Sequence, residues 1–368
     1  MLPITGTITL NIANFEGSKK VTIKDVARVA GVSTQTVSRV INNRPDVSPD
    51  TRKHVQQIIS DLGYAPNVIA RSLSRGRSNT IGVIGFGLEY YGSTSVLQGI
   101  QQKTNKLGFS IILSLLDEYE IGSVDWILKE LMSRQVEGVI WTIPGIGRTL
   151  QGLEEKFQEA QIPVVFLNKD QTERNVVVAL DNRLGGQLAT RHLLDEGRKR
   201  IGMITGPADW WEAREREKGW RETLAEENQI DLTGLSEEGD WSPASGEIAL
   251  YKLIERNPDL DAVFVSNDQM ALGVLQAARQ LGIQVPEDLA VVGFDDIPES
   301  AYFYPKLTTV RQNARRLGAL AVDKLFELIQ AENGAGEGDL DPAWIKPRLV
   351  VRQSSQTNHK IIKGKNPS

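Results

Sequence analysis

A chain of 368 residues, 40% hydrophobic and 24% charged, has room for two or three domains and the composition of an ordinary folded protein. It contains no Cys, and its three His (His54, His192, His359) lie far apart. Disulfides, thiolate chemistry and a histidine metal cluster are thereby excluded, and neither metal nor cofactor is expected. The net charge of −5 conceals an asymmetry: residues 18–78 carry eleven Lys and Arg against four acids, and with Glu16 the one charge before them, residues 79–368 hold −11. A basic head on an acidic body is the charge pattern of a nucleic-acid binder.

Residues 1–20 have no basic start followed by an apolar run, and no apolar stretch approaches membrane-spanning length. A cytoplasmic location and no membrane partner are expected, with residues 1–20 a disordered extension. From Thr22 the pattern turns helical. Thr22 opens a capping box with Asp25, and Ile23, Val26, Ala27 and Ala30 form one apolar stripe. Gly31-Val32-Ser33 is a tight turn whose Ser33 can cap a second helix. In that helix Val37, Val40 and Ile41 face inward, so Thr34, Gln35, Ser38, Arg39 and Asn42 face out. A third helix starts at Ser48-Pro49 and carries Val55, Ile58, Ile59 and Leu62 before Gly63 stops it. Two short helices joined by a Gly-containing turn form a helix-turn-helix, and its outward residues suit the major groove. Gln can bond adenine bidentately, Arg can bond guanine or phosphate, and a Thr methyl can touch a thymine methyl.

Asn67 then caps a potential helix barely two turns long, too short to be stable alone in water. It reads as a linker that a surface could order. From Thr80 onward apolar runs alternate with helical patterns: residues 81–87, 109–116, 137–144, 163–168, 176–181, 201–206, 262–267 and 289–296. Continuous Val/Ile-rich runs separated by helices mean parallel sheets covered on both faces, and eight of them suggest two Rossmann-like lobes. Ligand sites in such folds lie beyond the carboxyl ends of the strands, where Gly85, Asn168, Asp181, Asn267 and Asp295 fall.

Two rival readings fail on the residues. The IGVIGFGLEYYG segment evokes a dinucleotide fingerprint, but Tyr90 stands where its third Gly is required, and no acid–base or nucleophile constellation accompanies it. No enzyme and no catalytic residue is expected. His192 packs or caps its helix on this reading. A periplasmic sugar-binding protein would need a secretion signal and no helix-turn-helix.

The segments VTIKDVARVAGVSTQTVSRVINN, YAPNVIARSLSRG, VSNDQMALG and VVGFDDIPESAYFYPKLTTVRQN resemble the LacI/GalR family of bacterial repressors, from about Val21 to Ser355. The resemblance implies an α/β fold: an all-α helix-turn-helix head plus two Rossmann-like parallel-sheet lobes of periplasmic-binding-protein type, with a ligand in the cleft and three crossings of the chain between lobes. The implied division is residues 21–66 for the head, 67–79 for a hinge helix and linker, and 80–355 for an effector-binding and dimerisation body, followed by a tail, 356–368. One lobe takes about 80–180 with 312–342, the other 181–311 with 343–355. DNA contacts are expected at Thr22, Ser33, Thr34, Gln35, Thr36, Arg39 and Asn42, and in the hinge at Asn67, Ala70 and Leu73, the last as a minor-groove wedge.

By the same resemblance Arg216, Asn267 and Asp295 hold the effector, with Phe86, Tyr90, Trp210, Trp241 and Gln312 on or near other pocket positions. Aromatic planes with fork-like polar groups suit a sugar, a mono- or disaccharide; a purine is the second candidate. The pocket departs from a well-known member of the family at Asn168 (an acid there), Phe86 (a hydroxyl residue there) and Ala314 (an aromatic there), so ligand identity does not carry over. The tail lacks the leucine heptads of a tetrameric clasp. A homodimer on a pseudo-palindromic double-stranded operator is the expected assembly, and repression rather than activation follows from the resemblance alone.

Overall fold

The structure, a computed structural model, describes residues 21–65, 77–116, 121–143, 153–170, 176–227, 231–332 and 341–356. The expected hinge residues Asn67, Ala70 and Leu73 lie outside the described residues, as do the extension 1–20 and residues 357–368 of the tail. The chain divides into two units after Ser78.

The head holds α1 (Ile23–Ala30), α2 (Thr34–Ile41) and α3 (Pro49–Asp61). Each starts where a side chain satisfies an otherwise orphaned amide. The Asp25 carboxylate accepts the Thr22 amide at 3.0 Å and the Thr22 hydroxyl at 2.7 Å. Ser33 Oγ accepts the Thr36 amide at 3.0 Å, and Ser48 Oγ that of Thr51 at 3.3 Å. Val26, Ala27, Ala30, Val37, Val40, Val55 and Ile58 are buried together, with Ile41, Ile59 and Leu62 packed around them.

The body contains two six-stranded sheets wound alike. The first runs β2 (Ser110–Leu115), β1 (Thr80–Gly85), β3 (Val139–Trp141), β4 (Val164–Leu167), β5 (Val176–Leu180), β11 (Ala343–Ile345), all parallel. The second runs β7 (Ser236–Glu238), β6 (Ile201–Thr205), β8 (Ala262–Val265), β9 (Ala290–Asp295), β10 (Thr308–Arg311), β12 (Arg348–Val350), parallel except for the antiparallel β10–β12 pair. Strands β5, β6, β8 and β9 are buried at every residue, which is why they read as unbroken apolar runs. The last return to the second lobe comes three residues later than the division implied by the resemblance, which placed it before Ala343. Ala343, Trp344 and Ile345 pair with Val178, Ala179 and Leu180 of the first sheet.

Helices α4 (Tyr91–Lys106), α5 (Ile121–Ser133) and α6 (Leu153–Glu159) cover the first sheet with α11 (Ala314–Glu332). Helices α7 (Asn182–Asp195), α8 (Trp211–Glu226), α9 (Pro243–Arg256) and α10 (Asp268–Gln280) belong to the second. Each lobe's first helix packs against the helix that arrives from the other lobe, α4 on α11 and α8 on α7. Paired glycines let the backbones touch. A Cβ at Gly99 or Gly318 would stand 2.0 or 2.1 Å from the carbonyl oxygens of Arg315 or Val96. At Gly186 and Gly219 the corresponding distances are 2.2 and 2.1 Å, and at Gly246 and Gly273, between α9 and α10, 2.1 and 1.8 Å. His192, expected to pack or cap its helix, bonds Ser355 Oγ through Nε2 at 2.7 Å and so ties α7 to the last described segment.

Candidate functional sites in the head and in the cleft of the body

Thr34, Gln35 and Arg39 are exposed along one face of α2, while Val37 and Val40 are buried on the other. Thr36 is half-buried and held to Ser33 by its amide and by a 2.9 Å hydroxyl contact. Asn42 donates to Ser38 Oγ at 3.3 Å, so these two line the shoulder of the face rather than its crest. Lys24, Arg28, Arg44 and Lys53 are exposed nearby in sequence and supply the cationic surroundings. Arg39 lies 3.4 Å from Asp46, an exposed pair of little energetic weight that a phosphate or base edge can displace.

In the body a cavity, partly open to solvent, lies at the carboxyl ends of both sheets. Tyr90, Tyr91, Ser93, Val96, Thr142, Leu167, Asn168, Leu180 and Ala314 line it from the first lobe; Trp210, Glu212, Arg216, Trp241, Asn267, Gln269 and Asp295 line it from the second, with Gln312 at the crossing. Of the strand-end residues, Asn168, Asn267 and Asp295 reach the cavity. Gly85 and Asp181 do not, and Asp181 caps α7 by accepting the Leu184 amide at 2.9 Å. Phe86 is not on the wall; its ring stands edge-on behind Trp210 at 6.1 Å. The turn that separates Phe86 from Tyr90 passes through Gly87 at φ 62°, where a Cβ would strike the Tyr90 ring at 2.5 Å.

Trp210 is the hinge of an aromatic corner. Its ring meets Tyr90 of the opposite lobe at 5.4 Å and 88°, and Trp241 at 5.5 Å and 64°. Trp241 has φ 73°, and its carbonyl accepts a 2.9 Å bond from the Asn267 amide group, whose oxygen meanwhile accepts the Met270 amide at 2.8 Å. Asn267 therefore shapes the wall as much as it faces it.

Arg216 is 4% exposed and engaged on all sides. Its Nε donates to Asn182 Oδ1 at 2.8 Å, a second nitrogen donates to the Ser266 carbonyl, and the guanidinium lies 3.8 Å from the Phe294 ring centroid and 5.6 Å from that of Trp241. Asp295 lies 3.9 Å away and accepts from Gln312. Burial raises the Asp295 pKa to about 6, against the downward pull of Arg216 and the Gln312 bond. Behind it Asp268 is fully buried, bonded by Thr309 Oγ1 at 2.6 Å and the Ile297 amide at 2.9 Å; burial, with Asp295 as a neighbour, holds its carboxyl well above the usual range.

Glu212 and Gln269 are wall residues that sequence reasoning did not single out. Burial raises the Glu212 pKa although Arg216 and a bond from the Asn168 side chain favour the ionised form. The adjacent Trp211 is buried in the opposite lobe, where its Nε1 donates to Asp170 at 2.8 Å. The start of α8 thus spans the cleft. Among the described residues no group of three or more His, Asp or Glu is placed to hold a metal, and no helix is long and apolar enough to cross a membrane.

Residues 22–67 match the family model for bacterial regulatory proteins, lacI family, and residues 190–355 that for a periplasmic binding protein-like domain. The chain is similar to the lactose operon repressor of Escherichia coli (strain K12), 33% identical over 340 residues, 92% of this chain and 93% of that protein. The ribose operon repressor of the same strain is 35% identical over 309 residues, 84% and 93% of the two chains. The transcriptional repressor PurR of Edwardsiella ictaluri (strain 93-146) is 33% identical over 335 residues, 90% and 96%. Among solved structures, the lac repressor dimer bound to operator and the anti-inducer ONPF matches with a TM-score of 0.82 at 33% identity, covering 92% of this chain and 100% of that one. The CelR–cellobiose complex matches with 0.68 at 31% identity, covering 91% and 99%. With a helix-turn-helix head, two parallel-sheet lobes and this degree of identity along nearly its whole length, the chain belongs to the lacI family of bacterial regulatory proteins and is a DNA-binding transcriptional repressor.

Proposed function

We propose that this repressor acts as a homodimer on a pseudo-palindromic operator of carbohydrate-utilisation genes, and that a small uncharged sugar in the cleft controls its grip on DNA. The observation that carries the ligand class is the corner formed by Tyr90, Trp210 and Trp241. Its rings meet at 88° and 64°, which leaves facets for the C–H faces of a puckered ring rather than a parallel-sided slot for a flat base. Arg216, Asp295 and Gln312 line the same cavity with groups suited to hydroxyls. The lactose and ribose operon repressors and the cellobiose-bound regulator point the same way; the PurR relatives make a purine base the necessary control.

A thermal-shift series with lactose, cellobiose, D-ribose and hypoxanthine tests the reading. A ligand at about a hundred times its Kd adds about 2.7 kcal/mol to stability, and the sugar that does so should also release operator DNA. Stabilisation by hypoxanthine alone would overturn the sugar assignment.

Base readout is assigned to Gln35, exposed on the outer face of α2. Gln35→Ala should cost about 1–3 kcal/mol at one operator position and relax specificity there, with non-specific binding nearly intact. Equal losses on operator and random DNA in a fluorescence-anisotropy titration would refute it.

A pH dependence follows from Asp295. A hydroxyl donor prefers its carboxylate, so sugar affinity should weaken as pH falls through about 6, by up to about tenfold per unit below it. In the ligand-free protein the sign is opposite. Asp295 binds its proton more tightly folded than at its ordinary value of 3.8, so its contribution to stability is greatest below that value and is lost as pH rises through about 6. Calorimetry between about pH 5 and 7.5 reads the first effect, and an affinity that does not vary would remove Asp295 from the contact set.

A further inference from the structure

Three residues that line the cavity each carry a buried polar atom with no hydrogen-bond partner within the protein: Glu212 Oε2, Gln269 Oε1 and Trp241 Nε1. Buried polar groups left in this state are costly, and in a side chain that lines a cavity a small rotation towards a bound ligand would relieve the cost. Two of the three accept and one donates, so a ligand that meets them presents donors to Glu212 and Gln269 and an acceptor to Trp241. Hydroxyl groups do both.

Charge narrows the class further. Among the described lining residues Arg216 is the one cation, against the carboxylates of Glu212 and Asp295. Its guanidinium is already committed to Asn182, the Ser266 carbonyl and the Phe294 face. An anionic ligand would add negative charge beside two carboxyl groups where the one cation among the described lining residues is already engaged, and rejection by an unpaired like charge is an effective form of discrimination. Glu212 is placed to exert it. The Asn168 side chain bonds its carboxylate, Trp211 beside it is anchored on Asp170 of the opposite lobe, and Oε2 is left over.

We propose that Glu212 is the specificity-determining residue of the cleft: its unpartnered oxygen accepts a hydroxyl proton of an uncharged polyol and turns away phosphorylated and acidic sugars. The proposal rests on the sugar reading of the cavity given above. It assigns the discrimination to a residue of the first turn of α8 rather than to the Arg216–Asp295 pair.

The test uses the full chain and matched probes: lactose with lactobionate, cellobiose with cellobionate, and D-ribose with ribose 5-phosphate. In wild type the neutral member of the binding pair should bind at least about tenfold more tightly than its anionic counterpart, the scale of one hydrogen bond to a charged group. Glu212→Gln should weaken the neutral sugar about tenfold and strengthen the anion, bringing the ratio towards one. Glu212→Asp keeps the charge but withdraws it by one methylene. It should lose neutral affinity while still excluding the anion, and it separates the loss of a contact from a general loss of fold. Comparable wild-type affinities for both members of a pair, or a ratio unmoved in Glu212→Gln, would overturn the assignment to Glu212 and leave the sugar reading standing. If none of the neutral sugars binds, the sugar reading falls and this proposal with it.

Discussion

Arg216→Ala should lower the unfolding free energy of the body by about 3–5 kcal/mol, the range for breaking a buried ion pair from one side. The substitution leaves Asn182 Oδ1 and the Ser266 carbonyl without their donor, opens a hole between Phe294 and Trp241, and removes the cation 3.9 Å from Asp295. Arg216→Lys should recover little of the loss, because an ammonium cannot reproduce a planar fork that bonds two acceptors while stacked on a ring. Urea unfolding of the two variants reads the effect. Adding Asp295→Asn to Arg216→Ala should cost less than the sum of the single losses, by about 1–3 kcal/mol, since the second change removes the charge that the first leaves exposed to its own burial. A loss below about 1 kcal/mol for Arg216→Ala would mean that the buried guanidinium is not a structural element of the cleft.

Gly273→Val should destabilise the second lobe by about 3 kcal/mol, the upper part of the range for forcing extra volume into a packed interior. A Cβ there would stand 1.8 Å from the Pro243 carbonyl oxygen and 2.9 Å from the Glu247 amide nitrogen. Both obstacles are backbone, so no rotamer change relieves them; α9 and α10 must move apart. Since α10 begins at Asn267 and Asp268, the displacement should reach the cleft and weaken sugar binding as well. Gly282→Ala, at an open position with φ 74°, serves as a control in which backbone strain acts without crowding. Equal losses for the two variants would show that close helix approach is not what selects glycine at 273.

Eight of the twelve described strands were legible in the sequence, most plainly where burial on both faces erases any alternation, as at Val176–Leu180 and Ala290–Asp295. The four missed strands are short pieces with mixed character. Ser236-Glu237-Glu238 is a polar edge, and Ala343–Ile345 and Arg348–Val350 acquire strand geometry only by pairing with β5 and β10, partners far away in the chain. The same reason moved the final lobe crossing to after Ile345.

The site was legible where resemblance to the family supplied positions, at Arg216, Asn267 and Asp295. The residues themselves gave no comparable signal for Glu212. It opens the run WEAREREKGW, whose spaced charges look like a solvated helix face; its burial arises because Trp211 crosses to the other lobe and Asn168 meets it there. The preceding Trp210-Trp211 pair was the available clue, since two adjacent indoles on a helix cannot share one environment. Phe86 illustrates the converse. The resemblance put both Phe86 and Tyr90 on or near the pocket, and the left-handed turn at Gly87 brings Tyr90 to the wall while Phe86 stands next to Trp210.

The interleaving of the two lobes also fixes an order of assembly during synthesis. The core of the first lobe takes Leu317, Ala321, Val322, Leu325 and Ile345 from the far end of the chain. On the ribosome its sheet therefore waits, with the face awaiting α11 bare, while the whole of β6 to β10 is made. The second lobe, whose elements from α7 to β10 are continuous in sequence, can close first and lacks only β12. The half of the body that is translated first must wait for α11 and β11, which are made only after nearly all of the second half. Its apolar sheet is the surface that chaperones must shield until the last few dozen residues emerge.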